Sequence, residues 1–192
     1  LTFSNLYPWP DAPQRGMFNV HLFRAVAGSP GVDGIRNICP VSVWRPWRSR
    51  AVREWNCPSA DPFTTAYVPV PHIPVVGRDW SWRLYRRALA DAAPPAPEPA
   101  AVLATWLYPD GVAAIRFARA RGIPCCVLVQ GSDSLHLEHP RRRRLIVEAA
   151  AESAGLACVC RSLADRLVAA GVDARRVSVA PNGVDASVFR YR

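Results

Sequence analysis

Residues 122–134 read Gly-Ile-Pro-Cys-Cys-Val-Leu-Val-Gln-Gly-Ser-Asp-Ser. The five at the centre, Cys125, Cys126, Val127, Leu128 and Val129, form an unbroken apolar run bounded by Pro124 and Gly131. Such a run predicts a strand buried on both faces, and strands of that kind belong to parallel sheets. Gln130, Gly131, Ser132 and Asp133 follow its carboxyl end, where open parallel sheets present residues to ligands. The active cleft is expected there.

Outward from this strand the chain alternates. Strand 101–105 and helix 111–121 precede it; helix 140–154, strand 156–160, helix 162–170 and strand 177–180 follow. Repeated units of this length imply right-handed crossovers, hence a Rossmann-like, doubly wound α/β fold: a mostly parallel sheet with helices on both faces. The helix at 162–170 carries full punctuation, with Ser162 as cap, Asp165 at the third helical position and Gly171 as terminator. The N-terminal part is less regular. Strand 1–4 leads into a proline-bearing turn at 5–16, and Gly16 opens a helix with Met17, Val20, Phe23 and Val26 on one face. The first N–H groups of that helix have no intrahelical partner, so its mouth suits an anion. Strands are expected at 35–43 and 63–70, and Asp79 is expected to cap a helix at 80–92. Residues 93–99, Ala-Pro-Pro-Ala-Pro-Glu-Pro, form an extended spacer too short to separate domains. Between these, residues 44–62 interleave Trp44, Trp47 and Trp55 with Arg45, Arg48, Arg50 and Arg53. An irregular surface loop with its tryptophans tucked beneath it is the expected form, although such a segment also suits nucleic acid or a membrane interface.

A chain of 192 residues accommodates one α/β domain and would cramp two. No apolar run approaches the roughly 20 residues of a membrane span and no segment resembles a signal peptide, so a cytoplasmic protein is expected, with peripheral contact at the inner membrane face as an option. Cys39, Cys57, Cys125, Cys126, Cys158 and Cys160 lack zinc-site spacing, and most lie in apolar runs, so buried free thiols and no bound metal are expected. The formal net charge is +9, and every basic side chain apart from the histidines is arginine. That sign favours polyanions, acidic headgroups or phosphorylated ligands.

Three loops should converge at the carboxyl rim: 5–16 with Gly16, 106–111 with Tyr108 and Asp110, and 130–136 with Gln130, Gly131, Ser132, Asp133 and His136. Asp110 is a candidate helix cap as well as a ligand contact. Asp133 suits a sugar hydroxyl or a local cap. His136 and His139 stand near the same rim. Arg141, Arg142, Arg143 and Arg144 crowd the first turn of a helix, where four cations oppose its dipole. Acidic headgroups or a phosphorylated acceptor would meet them, unless the run is a solvated face offset by Glu138 and Glu148.

The ordered set Tyr7-Pro8…Gly16-x-Phe18, Trp106-Leu-Tyr-Pro-Asp-Gly-Val-Ala-Ala, Gly131-Ser-Asp and Val179-Ala-Pro-Asn-Gly-Val-Asp-x-x-x-Phe189 resembles the N-terminal domain of family 4 glycosyltransferases of the GT-B fold. The resemblance covers nearly the whole chain and is strongest at Asn182-Gly183-Val184-Asp185. It implies a retaining transferase that moves a sugar from a nucleotide-sugar co-substrate to a glycan, lipid-linked or small-molecule acceptor, usually without metal. It further implies that residues 1–180 hold the acceptor and that 181–192 begin a linker to a C-terminal domain. That domain would grip the nucleotide and supply a glutamate pair and a basic residue, so the fragment alone would be inactive. Gly16, Tyr108, Asp110, Gly131, Ser132, His136 and Asn182 are then the expected acceptor or donor contacts. Where many members carry His or Arg before the third-loop glycine, this chain has Gln130, which neither ionises nor acts as a base at neutral pH. Only a positioning role is expected of Gln130 and Asp133.

Two other readings compete. A basic binding module for nucleic acid or acidic membrane would bind with steep salt dependence. A self-contained nucleotide-binding enzyme is disfavoured by the lack of a complete phosphate-loop or dinucleotide motif.

Overall fold

A computed structural model describes residues 1–44, 48–53, 62–71, 77–95, 97–184 and 189. Among the described residues seven strands alternate with six α-helices: β1 (Thr2–Phe3), α1 (Met17–Ala27), β2 (Arg36–Val43), α2 (Arg48–Arg53), β3 (Thr64–Pro71), α3 (Ser81–Ala92), β4 (Val102–Thr105), α4 (Val112–Ala120), β5 (Cys125–Val129), α5 (Pro140–Ala150), β6 (Gly155–Cys158), α6 (Arg161–Ala169) and β7 (Val177–Val179). All strand pairs are parallel, in the order β3-β2-β1-β4-β5-β6-β7. The order reverses between β1 and β4, which is the switch point of a doubly wound sheet.

One face carries the larger core, where Phe3, Ile38, Ala104, Val127 and Leu156 meet Leu89 of α3, Ile115 of α4, Ile146 of α5 and Leu167 of α6. The opposite face carries a smaller cluster, in which Val20 and Phe23 of α1 and Val52 of α2 pack with Cys39, Val41 and Tyr67. This division corrects the expectation for β5. Cys125, Val127 and Val129 are buried, but Cys126 is exposed and Leu128 half-buried. The second face is covered chiefly over β1–β3, and the larger set of helices lies on the other side.

Several local expectations shift for physical reasons. The 44–62 segment is not wholly irregular, since α2 forms within it. Trp44 is not tucked under but 66% exposed, while Trp47 and Trp55 lie outside the described residues. Asp79 does not cap α3; its Oδ1 accepts from Arg142 Nε at 2.8 Å. A charge-assisted bond to a buried guanidinium is stronger than a cap to a neutral amide. Cys160 rather than Ser162 stands at the N-cap position of α6, and its side chain makes no capping hydrogen bond. Gly171 does end that helix, with φ of 109°. The thiol expectation holds for Cys39, Cys125 and Cys158, whereas Cys126 and Cys160 are exposed; Cys57 is outside the described residues. Residues 181–184 follow β7 as exposed chain without regular structure.

Candidate active site

Because β1, β4 and β5 are parallel neighbours, the turns at their carboxyl ends share one rim. The segments containing Gly16, Tyr108 and Ser132 therefore do converge. Two buried carboxylates tie these turns together. Asp110 accepts from the Asn5 amide at 2.6 Å, joining the β1 and β4 turns. Asp133 accepts from the Leu107 amide at 2.7 Å and from the Gln130 amide at 2.8 Å, joining the β4 and β5 turns. Asp110 is thus not the cap of α4. Gly111 holds that position without a side-chain hydrogen bond, because the Asp110 carboxylate turns inward to the β1 loop.

The β4 turn is distorted to make this possible. Trp106 has φ of 90° and the Tyr108–Pro109 bond is cis. Gly111 lies so close to β5 that a Cβ there would stand 2.9 Å from Val127 Cγ1. The β1 turn is equally tight. Gly16 has φ of 64°, and a Cβ would fall 2.2 Å from the Leu6 carbonyl oxygen. Both conditions demand glycine at position 16. Ser4 and Asn19 complete the junction: Thr105 Oγ1 donates to Ser4 Oγ at 2.7 Å, and Asn19 Nδ2 donates to the Leu6 carbonyl at 2.7 Å.

Burial governs the electrostatics. It pushes the Asp133 carboxyl up to about 7, against the pull of the amides that hydrogen-bond it. Burial also raises Asp110 well above the ordinary carboxylate range, with the Asn5 amide opposing and the Asp133 charge reinforcing the shift. Asp110 Oδ2, Asn5 Oδ1 and Asn19 Oδ1 are all buried acceptors without a donor.

Above this junction opens a cavity of about 300 Å³, bounded by Tyr85, Trp106, Tyr108, His136, Arg78 and Arg142 among others. The Tyr108 hydroxyl donates to the Arg78 carbonyl at 2.7 Å, and its ring lies 5.2 Å from that of His136. Burial, then Arg142, His139 and Arg78, push the His136 imidazole down to about 4, so it is neutral at pH 7.

The structure therefore brings Tyr108, Asp110, Gln130, Asp133 and His136 to one place, with Gly16 on the adjoining turn. Gln130 is buried and its Nε2 lacks a partner. Gly131 and Ser132 are exposed on the rim. Asn182 stands apart, beyond β7 at the sheet edge. The arginine run divides into separate tasks. Arg142 turns into the cavity, 9% exposed, with Asp79 and His136 as neighbours. Arg143 reaches the Ala169 and Ala170 carbonyls at the end of α6, Arg144 pairs with Glu148, and Arg141 is exposed. Sequence reading missed Asn5, Asn19, Arg78 and Tyr85. Their one signal was position, since each follows or packs against the carboxyl end of a strand. Among the described residues no group of His, Cys, Asp or Glu is arranged to hold a metal ion, and no helix is long and apolar enough to cross a membrane.

The sequence model of Glycosyltransferase Family 4 matches residues 34–188. The chain belongs to this family. Its fold is similar to that of Arabidopsis thaliana UGT89C1 complexed with UDP, at 14% identity and a TM-score of 0.53, covering 93% of this chain and 50% of that one. It is similar also to UDP-N-acetylglucosamine 2-epimerase from Rickettsia bellii, at 11% identity and a TM-score of 0.54, covering 94% and 44%. The corresponding epimerase from Methanocaldococcus jannaschii matches at 11% identity with a TM-score of 0.51, covering 95% and 46%. The family 4 chain spans about half the length of the solved structures it matches. No curated protein sequence matches it.

Proposed function

We propose that this family 4 chain is the acceptor-binding half of a retaining glycosyltransferase, acting with a second domain that holds a nucleotide-sugar donor. The observation that carries the reading is the half-open cavity at the switch point, walled by aromatic rings and by the turns after β1, β4 and β5. Aromatic faces suit the apolar C–H faces of a sugar, and the rim hydroxyls and amides suit its polar edge. Within it, Tyr108 and His136 contact the acceptor, Gly131 and Ser132 form the exposed lip facing the donor, and Gly16 lets the β1 turn approach the donor diphosphate. Asp133 and Gln130 position the backbone and touch no reacting atom. Residues 1–180 form the acceptor domain and residues from 181 onward, Asn182 included, lead to the donor domain. That second domain carries the groups that stabilise charge on the departing diphosphate, the larger part of such catalysis, so residues 1–192 alone turn over no sugar. No metal takes part.

Titration of the isotopically labelled chain with candidate acceptor sugars tests this. Chemical-shift changes centred on Tyr85, Tyr108 and His136 are expected. Changes confined to other surfaces, or release of nucleoside diphosphate by residues 1–192 alone, would overturn it. The fold likeness to epimerases leaves a rival, in which the same cavity serves epimerisation of a nucleotide-sugar; transfer to a second sugar molecule by the two-domain enzyme decides against it.

The acceptor reading extends to an acidic membrane at the cytoplasmic face as the place of action. Trp80 is 56% exposed, and Arg83 lies 4.4 Å from its ring centroid and 4.9 Å from that of Trp82. With Arg141 and Arg144 they border one depression beside the cavity. Tryptophan and arginine together suit the headgroup region. Each ring already has the guanidinium against it, which makes the pair a poor platform for stacking nucleic-acid bases. Co-sedimentation with anionic but not zwitterionic vesicles, lost in Trp80→Ala, is the expected result.

A further inference from the structure

We propose, resting on the acceptor reading above, that the cavity recognises a phosphate group on its acceptor, seated between Arg78 and Arg142. The charge balance of the lining points there. Arg78 and Arg142 line the cavity, and among the described residues no carboxylate does; Asp79, outside the lining, binds Arg142 at 2.8 Å. Among the described residues no carboxylate pairs with Arg78. An uncompensated positive charge at the mouth of a half-enclosed cavity draws an anion, because the cavity walls exclude the water that would otherwise screen it.

The placement of the two cations also fits one ligand. Arg142 is fixed from three sides, by Asp79, by His136 with an Nη1–Nδ1 distance of 3.4 Å, and by the Tyr108 ring with the guanidinium 5.8 Å from its centroid. The backbone of Arg78 is tethered by the Tyr108 hydroxyl, while its side chain is exposed and able to close on a ligand. The two stand on different elements, Arg78 before α3 and Arg142 in α5, and a phosphate, with three acceptor oxygens, can accept from both and keep an oxygen for a neighbouring hydroxyl. Guanidinium forks match phosphate geometry. The Ser42 and Ser81 side chains border the same space. The depressed protonation of His136, owed first to burial and then to Arg142, His139 and Arg78, agrees with this field.

Calorimetric titration of the 192-residue chain with a hexose, the same hexose as its phosphate monoester, and inorganic phosphate tests the assignment. The hexose phosphate is expected to bind roughly tenfold or more tightly than the hexose, and Arg78→Ala and Arg142→Lys each to remove most of that gain. Asp79→Asn, which removes the acid paired with Arg142, should tighten hexose phosphate binding. The His136 ring resonances should titrate at higher pH in the complex, since a bound anion offsets the surrounding cations. Vesicles containing a phosphoinositide form the second arm. Binding that Arg78→Ala abolishes and hexose phosphate competes away supports a phosphate carried on lipid; vesicle binding indifferent to both, with tight hexose phosphate binding, supports a soluble sugar phosphate. A hexose phosphate that binds no tighter than the hexose overturns this inference and leaves the acceptor reading standing. Failure of either to perturb Tyr108 and His136 overturns both.

Discussion

Two strand-to-helix turns lie on the same rim of the sheet and could hardly differ more. Between β6 and α6 the chain needs only Val159 and Cys160, neither with a positive φ, and the Val159 amide simply continues the ladder to the Val129 carbonyl. Between β4 and α4 it spends residues 106–111, places Trp106 at φ of 90°, buries Leu107, Tyr108 and Asp110, and depends on a carboxylate from a third segment. The first turn merely connects. The second is held in an unfavourable conformation by Asp133 and by close packing against β5, and such strain persists only where surrounding structure over-determines it. The distorted turn sits at the switch point and the relaxed one two strands away, so the strain is confined to the part of the rim proposed above to meet a ligand.

The contrast can be broken most forcefully at its glycines. Gly16→Ala should cost about 3 kcal/mol or more, because both the left-handed backbone and the overlap with Leu6 oppose a methyl group. Gly171→Ala at the end of α6 has a positive φ, but its nearest neighbour stands 3.8 Å away, so about 1–2 kcal/mol is expected. Urea denaturation of the two variants measures the difference, and equal losses would erase the distinction between the regions. Next in size, Asp133→Ala strands the Leu107 and Gln130 amides and should cost about 3 kcal/mol, whereas Asp165→Ala on the exposed surface of α6 should change stability by less than about 0.5 kcal/mol.

A pH series sharpens the comparison. Asp133 moves from an ordinary 3.8 to about 7 on folding, so the native state holds a proton that the unfolded state has released across that window. The stability this provides is complete at low pH and is lost as pH rises toward 7. Asp110, shifted in the same direction, adds to it. His136, lowered from 6.5 to about 4, acts oppositely: it removes stability as pH falls from 6.5 to 4, because the unfolded state then takes up the proton. Between pH 4 and pH 6.5, Asp133→Asn should therefore turn the slope of melting temperature against pH more positive, and His136→Ala more negative.

The smallest effect concerns thiols. Cys160 accepts help from the Ser162 hydroxyl and from the first amides of α6, which lower its protonation range, while burial raises that of Cys158. Peptide mapping after brief alkylation at neutral pH should show Cys160 labelled ahead of the exposed Cys126, Cys158 unlabelled, and Ser162→Ala slowing Cys160 severalfold.

Much of the fold was legible because its signals are local. Strand β5 was placed by five apolar residues between Pro124 and Gly131, and α1 by the spacing of Val20 and Phe23 after Gly16. The family was legible from the order of short motifs. The site was legible only in outline. Tyr108, Asp110, Asp133 and His136 are placed at the rim, yet Asp79 reads as a cap and Asp110 as a cap or a ligand contact, since in sequence an acidic residue before a helix looks the same whether it turns back to an amide or inward to a partner.

By itself, then, the sequence determined the alternation of strand and helix, the parallel sheet this alternation requires and the rim where its glycine-bearing turns gather, because propensity, periodicity and crossover handedness act within a few tens of residues. Only the tertiary structure decided that Asp110 reaches Asn5, that Asp133 reaches Leu107, and that one arginine of four adjacent ones, Arg142, enters the cavity to meet Asp79 from 63 residues away. Those choices turn on burial. A carboxylate or guanidinium leaves water only where a partner is already in place, and that partner is set by the packing of distant segments.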